Sequence, residues 1–468
     1  MQPETISRLR NGFARVALEA LAPSAAPREP FASALPFSTM TEGDWRSAVE
    51  LWRRHAAEVL AAVADRPCPS CSSADSRELF ESYDAHRYHE CADCGCWFVP
   101  KQVNWSTFEA FFALSPEGAA LARKMMNARD EDAKRVADMQ RIGGYLDDLL
   151  PMLRHADRPV HYLDAGCGVG HSLRAGRERG LIVQGVEVDT EALALARADG
   201  LPVAGPGDAL ATGPFHLLSF WETLEHIDDP LAALTQYLPH LDPDGLVAIT
   251  VPNLNALETR TLREACSWVT GGYNTPGHVN LFHEPAIARL LDRAGLTLIE
   301  ADGQFSGNPV ELMAYLLGVH RGAFDVLDRS RGAAELPAGL VRSVNEVWPG
   351  VSLLERLALA SPILRVVACR KGRDGQFAAA VAARREARRR EMAEAAQALL
   401  ATEPDYRDLY LQLQAEVERQ YGVITSMQGE INRRDTLLEE ERARYARTLD
   451  ARLRQVGRKL ARLAGRSN

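Results

Sequence analysis

The sequence predicts an α/β protein built on a doubly wound, mostly parallel β-sheet, with a small cysteine module before it and a helical tail after it. Three observations support this. From residue 160 onward, short apolar runs alternate with helical stretches, as in parallel strands joined by crossover helices. Two Cys-x-x-Cys pairs lie within residues 67–100. Beyond residue 404, an apolar or aromatic side chain recurs every seven residues, which is typical of a coiled coil.

Composition excludes some classes of protein. Hydrophobic residues make up 46% of the chain and charged residues 25%, as in an ordinary globular protein. The formal net charge of −9 argues against nucleic acid as the main partner, because phosphate binding needs a basic surface. No segment approaches the roughly 18 consecutive apolar residues of a transmembrane helix. The first residues also lack an apolar signal core, so we expect a cytoplasmic protein.

Shifts in composition predict five segments: an N-terminal helical segment (1–66), the cysteine module (67–100), a helical connector (101–157), the α/β domain (158–372) and a helical tail (373–468). One apolar stripe follows the end of the tail, through Tyr410, Val417, Ile424, Ile431, Leu438 and Tyr445. A long helix with one such stripe needs a partner surface. We therefore expect a homo-oligomer formed through this coiled coil; the alternative is a helix packed on its own domain. The arginine run at 383–390 is interpreted as a solvated helix face.

Within the α/β domain, apolar runs predict the strands, and the segments between them predict the helices. The predicted strands are HYLDAG, LIVQGVEVD, LPVAG, FHLLSF, LVAITVP, LTLIEADG and ILRVVACRK. Helices are predicted to begin near His171, Thr190 and Leu231. A long helical insertion, roughly 308–358, separates the last two strands, in a position suited to a substrate lid.

The stretch YLDAGCGVGHSL predicts a ligand-binding loop between the first strand and the first helix. After Asp164, the glycines Gly166, Gly168 and Gly170 allow a sharp turn and a close approach of the backbone to a ligand. Glu187 follows at the end of the second strand, where a carboxylate can bind both hydroxyls of a ribose. A nicotinamide-binding oxidoreductase is the weaker alternative, because the Asp164 carboxylate would repel a pyrophosphate. A cofactor-free relic of the fold is a second alternative.

Together with GDAL, WETLEHIDDP and LVAITVPN, these motifs resemble the class I S-adenosylmethionine-dependent methyltransferases, in particular the branch that holds ubiquinone-type and sugar methyltransferases. The resemblance covers about 160–372 and implies a Rossmann-like fold. It also implies a set of cofactor contacts: the methionine part at Asp164, Gly166, Gly168 and Gly170, the ribose at Glu187, the adenine amine near Asp208, and the methyl-transfer site bordered by Trp221 and Glu222.

WETLEHIDDP and the later GHVNLFHEP, which holds His278 and His283, include a candidate group of two carboxylates and two imidazoles: Glu222, Glu225, His226 and His278. Some methyltransferases of the wider family hold a divalent cation with an E-x-x-E-H motif and a later histidine. Such a cation would lower the pKa of an acceptor hydroxyl. A second interpretation has His226 or His278 as a metal-free general base. A third has these side chains in structural roles.

The cysteine module carries Cys68, Cys71, Cys91 and Cys94, with 19 residues between the two Cys-x-x-Cys pairs. This spacing predicts a zinc ribbon whose four thiolates close a structural site. Cys96 is a spare cysteine, since the Cys-x-x-Cys spacing favours Cys94. The module resembles the zinc module of some deoxysugar C-methyltransferases.

The sequence therefore predicts an S-adenosylmethionine-dependent methyltransferase with a structural zinc. Its acceptor is expected to be a small molecule or a saccharide, methylated on oxygen. The alternative is a catalytically idle scaffold protein that acts through its coiled coil. An RNA methyltransferase is disfavoured because the overall charge is acidic.

Overall fold

The computed structural model describes residues 42–82, 86–103, 107, 114–129, 132–153, 158–210, 213–262, 277–304 and 338–401. Two predicted features lie outside the described residues, namely the coiled coil beyond residue 404 and the segment before residue 42. Of the insertion predicted at 308–358, the part up to 337 is also outside them.

Helices and strands follow the predicted order. The helices are α1 (Glu42–Ala62), α2 (Pro116–Arg129), α3 (Asp132–Leu153), α4 (His171–Glu178), α5 (Thr190–Ala198), α6 (Pro230–Tyr237), α7 (Leu257–Leu262), α8 (Glu284–Arg293), α9 (Ala338–Leu357) and α10 (Asp374–Ala401). The strands are β1 (Ser76–Glu81), β2 (Arg87–Cys91), β3 (Trp97–Phe98), β4 (His161–Ala165), β5 (Ile182–Val186), β6 (Val203–Ala204), β7 (Phe215–Trp221), β8 (Leu241–Pro252), β9 (Asn280–Leu281), β10 (Leu296–Gln304) and β11 (Ile363–Arg370).

Several helices begin at a side chain that accepts a hydrogen bond from the new helix. Asp189 and Asp229 accept from backbone N–H groups at the starts of α5 and α6, as expected of N-cap residues. His283 does the same for α8 through Nδ1, which accepts from Ala286 N at 3.0 Å. His283 therefore serves as a helix cap, which distinguishes it from His278 in the same sequence stretch.

The large sheet has seven strands in the order β10-β11-β8-β7-β4-β5-β6. Strands β8, β7, β4, β5 and β6 run parallel, and β11 pairs antiparallel with both β8 and β10. This confirms the predicted doubly wound, mostly parallel sheet. The strand order reverses between β4 and β7, and ligands of such sheets bind outside the carboxyl ends of the strands at that reversal.

The cysteine module forms a second, four-stranded sheet in the order β1-β2-β3-β9. Its last strand, β9, comes from the α/β part of the chain, with Trp97 paired to Leu281 and Phe98 paired to Asn280. Cys68, Cys91 and Phe98 also share one hydrophobic core with the strands of the large sheet. The separate module predicted at 67–100 is thus joined to the α/β domain by backbone pairing and by packing.

Helix α10 packs on the large sheet, and this differs from two predictions: the domain boundary after residue 372 and the solvated arginine run. Phe377 and Val381 belong to the core on the face covered by α3, so the boundary predicted after residue 372 divides a packed unit. Arg384 Nε lies 2.8 Å from Glu300 Oε2, and Arg388 Nη2 lies 3.0 Å from Glu300 Oε1. The arginine run was predicted to be solvated, but these two side chains pair with a carboxylate that is 2% exposed.

Among the helices of the described residues, none has the length and apolar character needed to span a membrane.

Candidate functional site

The glycine loop joins β4 to α4 at the carboxyl edge of the sheet. Gly166, Gly168 and Gly170 have φ angles of 81°, 55° and 86°, which favour glycine over other residues. A Cβ on Gly166 would lie 2.5 Å from Cγ2 of Thr223, so this glycine lets the loop pack against the segment after β7. A Cβ on Gly168 would have no described atom within 4 Å. Gly168 therefore faces open space at the point where the sheet geometry predicts a ligand.

Glu187 follows β5 and lies beside this loop. Its Oε2 accepts a hydrogen bond from Gly168 N at 2.6 Å, while Oε1 accepts from Val188 N at 2.7 Å and Asp189 N at 2.8 Å. The side chain is buried, and burial raises the pKa of its carboxyl group. Three backbone N–H groups thus hold this carboxylate in one orientation next to the open space at Gly168.

Asp164 lies beneath the loop, and its placement differs from the predicted contact with a cofactor. It is 1% exposed, and its oxygens accept hydrogen bonds from Ser172 Oγ and, at 2.5 Å, from Ser219 Oγ. Burial raises the pKa of its carboxyl group to about 7. The predicted contact with the methionine part of a cofactor does not fit this placement, because the carboxyl group is committed to two serine hydroxyls inside the domain. Asp164 instead ties β4, β7 and α4 together under the loop.

Asp208 and Trp221 lie on opposite sides of the glycine loop. Asp208 follows β6, and its Oδ2 accepts from Gly205 N at 2.8 Å and from Arg197 Nη2 at 2.5 Å. Trp221 ends β7 and is buried; its Nε1 donates to Tyr162 Oη at 2.7 Å. Its ring centroid lies 5.5 Å from that of Tyr145 on α3. Asp208 is thus on the surface beyond β6, whereas the Trp221 indole packs under α3.

Glu222 makes an ion pair that the sequence did not suggest. Arg141, on α3, donates to Glu222 through Nη1 and lies 3.1 Å from Asp138 through Nη2. Glu222 has a φ of 50°, a strained value for a residue with a side chain. The structure therefore places Glu222 in an ion pair with Arg141, apart from the predicted group with Glu225 and the histidines. Arg141 stands in no motif, and the sequence analysis did not identify it.

The other three residues of the predicted group meet. Glu225, His226 and His278 each offer one ligand atom within 4.8 Å of the others. His278 Nε2 lies 3.9 Å from Glu225 Oε1, and the two imidazole centroids are 4.8 Å apart. Glu225 is 0% exposed, and among the described residues neither of its oxygens has a hydrogen-bond partner. Such a carboxyl group is costly to bury unless it is protonated, paired or bound to a ligand. We refer to Glu225, His226 and His278 as the acidic–histidine cluster.

The buried carboxyl group of Glu225 predicts a pH-dependent stability. Burial raises the pKa of its carboxyl group well above the ordinary value of 4.5, so the folded chain holds this proton to a higher pH than the unfolded chain. Above about pH 4.5 the free energy of unfolding should then fall as pH rises, by at most about 1.4 kcal/mol per pH unit from this group. Glu225→Gln removes the titrating group, so its stability should decline less than that of the wild type between pH 5 and pH 8.

Urea denaturation of both proteins at the two pH values measures this difference. Glu178→Gln, at an exposed position at the end of α4, is the matched control and should keep the wild-type slope. Equal slopes for all three proteins would contradict the assignment.

The predicted zinc ligands also converge. Cys68 Sγ lies 3.5 Å from Cys94 Sγ, and Cys71 Sγ lies 3.5 Å from Cys91 Sγ. Four thiolates around zinc at about 2.3 Å have sulfur–sulfur distances of about 3.8 Å, so the donor set fits tetrahedral zinc. The spare Cys96 lies beside these four cysteines but outside their group, with its Sγ 3.3 Å from Leu281 O.

The sequence of this chain is similar to those of known methyltransferases. Residues 110–301 match a family model described as "Methyltransferase domain". A ubiquinone biosynthesis O-methyltransferase of Idiomarina loihiensis is 29% identical over 155 residues, which cover 30% of this chain and 63% of the relative. A ubiquinone biosynthesis O-methyltransferase of Paracidovorax citrulli is 28% identical over 124 residues, covering 24% and 50%. The chain thus spans less than two thirds of these relatives. The match to the family model includes the glycine loop and Glu187, and it agrees with the resemblance to methyltransferases that the motifs predicted.

Among solved structures, the plantazolicin methyltransferase BpumL in complex with SAH is 14% identical and has a TM-score of 0.32, with 55% of this chain and 92% of that chain covered. A SAM-dependent methyltransferase from Archaeoglobus fulgidus is 14% identical with a TM-score of 0.33, covering 49% and 93%. Scores this low define neither fold nor function by themselves.

Proposed function

We propose that this protein is an S-adenosylmethionine-dependent methyltransferase that methylates a hydroxyl group of a small-molecule or saccharide acceptor. The observation that carries the proposal is the open space over Gly168, beside the oriented carboxylate of Glu187. The acidic–histidine cluster begins at Glu225, four residues after β7 ends, and the neighbouring Thr223 lies against the loop at Gly166. Cofactor and acceptor groups would therefore meet at one edge of the sheet.

The residues around Gly168 fit the parts of this cofactor. Glu187 would accept hydrogen bonds from the ribose hydroxyls with the lone pairs that the backbone N–H groups leave available. Arg141 would face the cofactor's carboxylate, because its guanidinium group pairs with Glu222 and with Asp138, and Asp138 Oδ2 lies 3.2 Å from His171 Nδ1 directly after the glycine loop. Asp208 would border the adenine. When bound, the cofactor supplies a methyl group on a cationic sulfur.

The acidic–histidine cluster would act on the acceptor. Methyl transfer forms a bond between the methyl carbon and the acceptor oxygen, breaks the carbon–sulfur bond and leaves the hydroxyl proton to be removed. His278 is the proposed general base, since an imidazole near neutral pH can take that proton. Glu225, 3.9 Å from His278 Nε2, would stabilise the imidazolium in its ionised form, which the positive charge of that imidazolium favours. Holding the acceptor in line with the methyl group provides much of the acceleration.

The first test is a screen of phenols and saccharides with methyl-labelled cofactor. The curated relatives, named as ubiquinone biosynthesis O-methyltransferases, support hydroxyl acceptors as the starting panel. Transfer to a hydroxyl supports the proposal. Transfer to carbon or nitrogen alone would contradict O-methylation.

With an acceptor in hand, His278→Gln should lower kcat by about 100-fold or more, the usual contribution of a general base, and should leave cofactor affinity unchanged. The cluster could act as a metal-free general base or as the ligands of a divalent cation. Removal of divalent cations with a chelator, followed by addition of magnesium or manganese, distinguishes these two roles. An unchanged rate supports the metal-free base. A rate that falls on chelation and returns with the cation would assign the cluster to a divalent cation instead.

We also propose a cytoplasmic homo-oligomer formed through the segment beyond residue 404. The cysteines of the described residues are free, which suits thiolate ligands in a reducing compartment. Truncation after Ala401 keeps α10 on its domain and should lower the oligomeric mass measured by light scattering. An unchanged mass would contradict self-association through the tail.

A further inference from the structure

The segment that carries Glu225 and His226 is held by a side chain of β9. Asn280 is fully buried, and its Nδ2 donates to Leu224 O at 2.8 Å and to Ile227 O at 2.7 Å. These two carbonyl groups flank the Glu225–His226 pair. One amide group therefore fixes the backbone on both sides of the two residues.

Arg66, which precedes the first cysteine pair, fixes Asn280 in turn. Its Nη2 donates to Asn280 Oδ1 and to Val279 O, both at 2.8 Å. Nη1 donates to Asp228 O at 2.5 Å, and Nε donates to Val99 O at 2.8 Å. Burial lowers the pKa of this guanidinium group to about 10. A buried cation is costly unless it is paired or hydrogen-bonded. Of these four acceptors, Val99 O belongs to the cysteine module, and the other three belong to residues that follow His226 or His278 within two positions.

Tyr88 provides the second link, from β2 of the cysteine module. Its hydroxyl donates to His278 O at 2.5 Å, and the side chain is fully buried. On the other side, Val279 N donates to Glu225 O at 2.7 Å. The backbone of His278 is thus held between the cysteine module and the turn that contains Glu225.

We propose that Arg66 and Tyr88 are positioning residues for methyl transfer, through which the zinc-bound cysteine module sets the geometry of the Glu225–His278 pair. Neither side chain belongs to the cluster itself. The proposal rests on the assignment of Glu225 and His278 to the acceptor site. It extends the role of the zinc from folding the module to ordering a catalytic base.

The test uses the full chain labelled with ¹³C at histidine Cε1, so that it needs no acceptor. The His278 resonance is assigned, among the 12 histidines, by its loss in His278→Gln. In Tyr88→Phe, which removes only the hydroxyl group, we expect this resonance to move and its titration midpoint to change by about half a pH unit, where one unit is a tenfold change in proton affinity. Arg66→Lys should have a larger effect, because lysine cannot reproduce the forked donor geometry.

Arg77→Gln is the matched control. It breaks an ion pair with Glu90 on the same module and makes no link to the cluster, so the His278 signal should stay in place. Zinc content should remain about one per chain in Tyr88→Phe and Arg77→Gln. Withdrawal of zinc from the wild type should move the His278 resonance, and added Zn²⁺ should restore it.

An unchanged His278 resonance and midpoint in both Tyr88→Phe and Arg66→Lys would overturn the proposal. If Arg66→Lys fails to fold, Tyr88→Phe decides alone. Calorimetry with S-adenosylmethionine on the same samples tests the proposed function separately from the positioning role of Arg66 and Tyr88. Absence of binding by the wild type contradicts the proposed function, whereas the His278 response tests the positioning role independently.

Discussion

Replacing Gly168 by leucine should abolish the binding of S-adenosylmethionine while the chain stays folded. The backbone here has a φ of 55° and faces open space, so a side chain would occupy the volume proposed for the cofactor. We expect affinity to fall by about 100-fold, since overpacking of this kind can cost about 3 kcal/mol and each 1.4 kcal/mol is tenfold. Calorimetry measures the loss, and circular dichroism checks the fold.

Gly180→Leu is the matched control. Gly180 also has a positive φ, 75°, and a Cβ there would meet no described atom within 4 Å, but it lies in the turn between α4 and β5, away from the proposed cofactor. Both variants carry a similar backbone penalty of about 1–2 kcal/mol. Only Gly168→Leu should lose the cofactor. Equal affinity in the two variants would contradict the assignment of the loop.

The second large effect is expected at the cysteine cluster. In Cys68→Ser, the amount of zinc bound per chain should fall from about one to nearly none. Binding depends on all four thiolates, and metal affinity is coupled to folding of the site. Loss of the metal should also lower the melting temperature of the chain, since Cys68 and Phe98 share a core with the large sheet. Elemental analysis and thermal unfolding measure the two effects.

Cys96→Ser serves as its control. Cys96 is fully buried beside the cluster, but its sulfur contacts Leu281 O. This variant should keep its zinc. If Cys96→Ser lost its zinc and Cys68→Ser kept it, Cys96 and not Cys68 would be a zinc ligand, which would contradict the predicted set.

Local patterns made the fold predictable from the sequence. The apolar runs marked all seven strands of the large sheet to within a few residues, except that β8 begins at Leu241, five residues before the predicted LVAITVP run. The glycine loop and the cysteine pairs were also visible, because each is a short motif whose members are close in sequence. Such signals need no knowledge of the tertiary structure.

Contacts between distant segments were not predictable. The partner of Glu222 is Arg141, 81 residues earlier, and nothing in either local sequence identifies the other. Arg384 and Arg388 were interpreted as part of a solvated face because their partners, Glu300 and Asp302, lie in a strand about 85 residues earlier, and no local pattern links the two segments. The alternation of buried and exposed positions does not reveal a carboxylate inside the domain. Asp164 was misjudged for the same reason, since Ser219, which holds it, comes from another strand.

Binding of S-adenosylmethionine by the full chain is the most direct test of the proposed function. Titration calorimetry of the wild type with S-adenosylmethionine should give saturable binding of about one molecule per chain, lost in Gly168→Leu and retained in Gly180→Leu. Enzymes commonly bind their substrates between about 1 μM and 1 mM. Absence of any heat of binding up to about 1 mM cofactor would contradict the methyltransferase proposal and favour a scaffold that acts through its tail.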